Sequence, residues 1–204
     1  MKFKFLFLLI CLITTLQKLQ ADSPVTSTPF SDLYIQSGNE DVIYASKVKS
    51  LDKQVIESLL NPAIPVDVKA AICNALGWSN DGNENAKTFF KALKEKYNTK
   101  SLSLDMLSAD DCLVLGYLSL LGDYFNPQNA DPILQQAVAL NPKSYTCNMI
   151  LALCKAQEVM DTNYCDVWKA FDAVKKNTTL NDDMPAAAIK IIFDYMVLYK
   201  ETCN

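Results

Sequence analysis

Seven cysteines, a few adjacent acids and no histidine set the chemistry open to this 204-residue chain. All 19 cationic side chains are lysine. The lack of histidine removes Ser/His/Asp and Cys/His nucleophilic sites, imidazole proton shuttles and His-ligated metals. The lack of arginine removes the bidentate fork that grips phosphate, carboxylate or guanine. No G-x-x-x-x-G-K-[ST], G-x-G-x-x-G or G-x-S-x-G run is present. The cysteines and the adjacent acids are the next candidates.

Cys11 falls in the N-terminal apolar run, leaving Cys73, Cys112, Cys147, Cys154, Cys165 and Cys203. An even set suggests three disulfides, with 15 connectivities open. With no C-x-x-C pair, neither a metal centre nor a cofactor is expected. Asp110-Asp111 and Asn181-Asp182-Asp183 each precede or open a helical stretch. Adjacent acids on a helix point about 100° apart, so they suit capping better than one catalytic site. No catalytic residue is assigned. A carboxylate-only hydrolase is a distant third reading, and it requires two acids converging in a cleft.

Residues 1–21 read as a secretory leader: Lys2 and Lys4, then the apolar run Phe5 to Leu16, then a polar stretch ending on Ala21. The run is too short for a membrane span, and no later segment is long and apolar enough to hold the mature chain in a bilayer. A secreted or lumenal location is expected. Loss of Lys2, Lys4 and Lys18 with the leader leaves 16 lysines against 23 acids, a net charge of −7. Such a chain repels nucleic acid and anionic lipid. Asn177-Thr178-Thr179 is an N-glycosylation acceptor triplet.

These residues need a scaffold, and the spacing of apolar residues predicts helices. Residues 22–40, polar with two prolines, are expected to be extended; residues 41–204 are expected to form a single helical domain. Val48, Leu51, Val55 and Leu59 start the 3.6-residue period. Helical stretches then come in pairs: Val66 to Trp78 with Asn85 to Tyr97, Ser108 to Leu121 with Asp131 to Leu140, and Ser144 to Val159 with Cys165 to Lys176. Met184 to Thr202 is a last helix, apolar almost all round and expected to be buried, with an exposed docking face as the alternative. About two thirds helix follows. The expected class is all-α: stacked antiparallel hairpins, as a solenoid or a disulfide-braced bundle, with flanking helices.

The pairs look related. Cys73-Asn-Ala-Leu76-Gly77-Trp78 and Cys112-Leu-Val-Leu115-Gly116-Tyr117 share a pattern, and Cys147-Asn-Met-Ile150 continues part of it. In the middle unit, Leu115-Gly116, Gly122-Asp123-Tyr124, Ala130, Leu134, Ala137 and Pro142 resemble a tetratricopeptide repeat, with three residues inserted around Phe125 to Pro127. The resemblance implies recognition of a protein or peptide partner on a concave face. One helical turn and the equivalent places of cysteines on successive first helices also suggest disulfide pairs. Cys154 and Cys165 flank the turn near Met160 and are the preferred bridge. Cys73 with Cys112 and Cys147 with Cys203 follow. For each, the alternative is a buried thiol. The expected function is a non-catalytic binder of a protein or peptide; the alternative is a carrier for a lipid or other apolar ligand, which requires an enclosed apolar cavity.

Overall fold

The centre of the molecule is one helix that is apolar on every side. The computed structural model describes residues 23–79 and 83–203; the expected leader, residues 1–21, lies outside the described residues. Ten α-helices are present among them: α1 (Ser31–Gln36), α2 (Glu40–Val48), α3 (Lys53–Leu60), α4 (Val66–Leu76), α5 (Asn85–Lys96), α6 (Ala109–Gly122), α7 (Asp131–Leu140), α8 (Tyr145–Val159), α9 (Tyr164–Lys176) and α10 (Ala186–Met196). The described residues are all-helical in class, at 68% helix. A single isolated bridge, Ser144 to Asn181, stands outside the helices of the described residues.

α6 carries Leu113, Val114, Leu115, Tyr117, Leu118, Leu120 and Leu121, all buried. A helix with no polar face must be covered all round. α4, α5, α7 and α8 cover it. Short polar residues set the starts of the surrounding helices. Asn39, Asp52, Ser108, Ser144 and Asn163 each accept an amide from the first turn of the helix they open. Pro65 and Pro185 precede α4 and α10 with φ already near the helical value. α4 stops at Gly77, whose φ of +82° is open to glycine without strain. Lys49 then donates to the carbonyl of Ala75 at 2.7 Å, where the helix dipole favours a cation.

α6 with α7 and α8 with α9 form two antiparallel hairpins, and α7 lies on α8. Gly116 permits the first of these to close: a Cβ there would stand 2.7 Å from Leu134 Cγ. The first expected pair departs from this. α4 packs between α2 and α6, while α5 crosses to α6 instead of folding back on α4. Both helices seek α6 because it offers apolar surface on both sides.

Residues 23–40 also differ from expectation. They are not extended: residues 23–40 turn, form α1 and enter the core. Val25, Phe30 and Tyr34 are buried, and the Phe30 ring stacks parallel to Tyr117 at 6.4 Å. Asn74 fixes this segment, accepting the Ser31 amide at 3.0 Å and donating to the Thr28 carbonyl at 3.1 Å and the Tyr117 hydroxyl at 2.9 Å. The last element meets the first, since α10 touches α1, and α4 reaches α8. A solenoid unit contacts only its neighbours. The chain is therefore a closed bundle containing two stacked hairpins. No helix among the described residues is long and apolar enough to cross a membrane.

Candidate functional site

The cysteines do not pair as expected. The one disulfide among the described residues joins Cys165 to Cys203, and Cys73, Cys112, Cys147 and Cys154 are buried thiols. The preferred Cys154–Cys165 bridge fails because the two residues face different neighbours. Cys154 looks toward the Pro127–Asn129 turn, donating to the Pro127 carbonyl at 3.4 Å. Cys165 sits at the start of α9, where the Val197–Thr202 turn comes back over it. That contact takes Cys203 from Cys147. Cys73 and Cys112, the other expected pair, each remain single inside the core. Burial pushes the thiols up, Cys112 to about 11 and Cys147 and Cys154 to about 12. At neutral pH they are protonated and unreactive.

The acids divide between caps and ion pairs. Asp110 and Asp111 diverge as helical geometry requires. Asp110 takes the buried Lys69 of α4 at 2.6 Å. Asp111 takes Lys96 of α5 at 2.7 Å, the Tyr97 hydroxyl at 2.7 Å and the Ser108 hydroxyl at 2.8 Å. Burial raises the Asp111 pKa, but these three donors outweigh it and hold the carboxyl below its usual range. Asp183 precedes α10 yet caps α8, accepting the Thr146 amide at 2.9 Å.

Sequence reading missed one cluster. Asp131, Cys154 and Glu158 bring ligand-type atoms within 4.8 Å of one another. A lysine already supplies their cation: Lys155 Nζ lies 2.7 Å from Asp131 and 3.1 Å from Glu158. Nothing in the spacing of 131, 154 and 158 announces this, because the turn at Pro127–Asn129 creates it.

Three hollows open on the surface. The first, about 520 Å³, lies where α5 begins and α6 ends. Asn83, Glu84 and Lys87 form one wall, Ser119 and Asp123 the other, with Phe125 at the rim. The residues inserted into the tetratricopeptide-like turn build this rim. Phe125 is 68% exposed and lies 4.3 Å from the Tyr124 ring, which meets Trp78 edge-on at 5.5 Å. Tyr124 is buried and Trp78 half-buried, so the ladder of three rings holds the exposed Phe125 against a buried middle rung. Asp123 holds the turn, accepting Asn126 Nδ2 at 2.9 Å. The second hollow, about 580 Å³, joins Pro65 and Asp67 of the α4 start to Asp182, Asp183 and Ile189. The third, about 170 Å³, lies beneath Trp78 among Val25, Pro29 and Asn74.

The last helix is only partly buried. Ala188, Ile192 and Met196 face the core. Val197 and Leu198 stand 46% and 66% exposed, beside Tyr164 at 51%. Asn177 is exposed at the end of α9. Compared with known proteins, the chain matches no family model, no curated protein and no solved structure.

Proposed function

We propose that this chain is an exported, non-catalytic helical protein that binds a peptide or protein segment in the cleft at Phe125. The observation that carries the reading is the ring ladder. An exposed phenylalanine costs solubility, and here the Tyr124 ring, itself met by Trp78, braces it at the mouth of an open cleft. Aromatic anchors with nearby amides and carboxylates are what recognition surfaces use. Asn83, Asp123 and Asn129 supply the polar groups. The leader-like residues 1–21 support export.

The carrier reading draws less support. The hollows open to solvent, and charged or polar side chains line much of them. The hydrolase reading calls for a carboxyl held protonated by its surroundings. The shifted carboxyls, Asp52 and Asp111, both move the other way.

The test is selection of random peptides by display on the purified exported chain, followed by titration of the selected peptides into Phe125→Ala. The expected result is enrichment of peptides whose affinity falls at least tenfold in the variant while its thermal unfolding stays unchanged. Peptides that bind both forms equally, or no enrichment, overturn the assignment.

A further inference from the structure

We infer that Asn177 is the chain's one acceptor for an N-linked oligosaccharide, and that Asn163 is not an acceptor. The inference rests on the exported reading, because the transfer takes place on the lumenal side of the secretory membrane.

Two asparagines in the sequence have an S–H or O–H bearing residue two positions on: Asn163-Tyr164-Cys165 and Asn177-Thr178-Thr179. Their surroundings differ in every respect that matters for transfer. Asn163 is committed to the fold. Its Oδ1 accepts the amides of Cys165 at 3.1 Å and Asp166 at 3.4 Å to cap α9, and its Nδ2 donates to Asp166 at 2.7 Å. In the folded chain the thiol of its triplet is bonded to Cys203, so a sugar on Asn163 would also crowd that bond. A sugar on Asn163 Nδ2 would displace the Asp166 contact at the start of α9.

Asn177 has the opposite setting. It ends α9 in extended backbone, and it, Thr178 and Thr179 are all exposed. Its Oδ1 accepts the Thr179 hydroxyl at 2.6 Å and the Thr179 amide at 3.1 Å. Its Nδ2 donates to no protein group among the described residues, so substitution there costs the fold no hydrogen bond. The turn is held at both ends. The Asn177 amide returns to the Val174 carbonyl at 3.1 Å, and the Asn181 amide reaches the Lys143 carbonyl at 2.7 Å. The acceptor therefore sits on a fixed outward turn with room for a bulky group.

The donor is an oligosaccharide on a polyprenyl diphosphate, supplied by the cell. Asn177 Nδ2 forms the bond to the sugar's C1. The C1–O bond to the diphosphate breaks, the diphosphate leaves with the electron pair, and Nδ2 gives up one proton. No oxidation or reduction occurs.

The test is expression of the full chain in a eukaryotic secretory host, once with its own first 21 residues and once with a proven leader in their place. The medium is analysed by intact mass before and after peptide-N-glycosidase. The expected result with both leaders is one glycan, lost with Asn177→Gln or Thr179→Ala and kept with Asn163→Gln. Export under the proven leader with no glycan overturns the acceptor assignment while leaving export open. Failure of the native leader, with a glycan under the proven one, overturns the export reading and with it the modification of the natural chain. A glycan on Asn163 overturns the discrimination.

Discussion

Asp111 shows how one side chain fastens two elements, with its neighbour adding a third. It opens α6, and through Lys96 and Tyr97 it holds the end of α5 to it. Its neighbour Asp110 reaches α4 through Lys69. Asp111→Asn keeps the shape and removes the charge, and should cost about 2 kcal/mol by urea unfolding at neutral pH. Because the folded carboxyl titrates below its ordinary value, its contribution is complete above about pH 5 and fades as pH falls through the folded value. The stability gap between wild type and variant should therefore shrink on acidification below about pH 4. A gap independent of pH would show that the hydrogen-bonded charge is not its source. The capping role of these acids was legible in Ser108-Ala-Asp-Asp111, since a hydroxyl three residues before an amide is a local signal. Which lysines they would meet was not. Lys69 and Lys96 lie on other helices, and only the packing of α4 and α5 on α6 brings them there.

At the scale of elements, Gly116 has a stated job. Replacing a mid-helix glycine with alanine ordinarily stabilises by about 1 kcal/mol. Here the added methyl meets Leu134 side-chain atoms at 2.7 Å and its amide nitrogen at 3.3 Å. Gly116→Ala should instead destabilise by about 1–3 kcal/mol and lower Tm. A raised Tm would mean that α6 and α7 are not in close apposition. Helices with a polar face were readable from their 3.6-residue period, as Val55 with Leu59 illustrates. α1 was not: at six residues it is too short to display a period, and Val25, Phe30 and Tyr34 are buried by tertiary contact with Asn74 and Tyr117. The partner of α5 was equally hidden. Short connections favour hairpins between sequence neighbours, but α6, apolar all round, competes with α4 for α5. The Phe125 rim was visible only as an insertion into a repeat-like turn, and its exposure depends on Tyr124 turning inward.

At the scale of the whole molecule, the cysteines of the described residues divide into one surface bond and four core thiols. Reducing the folded protein and alkylating it without denaturant should label two sulfurs, Cys165 and Cys203; denaturant should add Cys73, Cys112, Cys147 and Cys154. Labelling of all six under native conditions would contradict the burial described. Cys165→Ser with Cys203→Ser should cost about 3–4 kcal/mol, as the closed loop of 38 residues frees the unfolded chain. Even parity of cysteines pointed to bridges; which sulfurs meet depends on which face each helix turns outward, and that is set by packing rather than spacing.

The contact of α10 with α1 has a consequence for the order of assembly. α6, α7, α8 and α9 are consecutive, and their two hairpins can form as soon as those residues are present. α1 cannot acquire all its neighbours until the last helix has been synthesised. In a chain delivered N-terminus first, α1 would wait, attached to α4 but uncovered on the side that α10 will close. The first described helix to emerge is thus among the last to be finished, and the Cys165–Cys203 bond forms at the same late moment, locking the step that completes it.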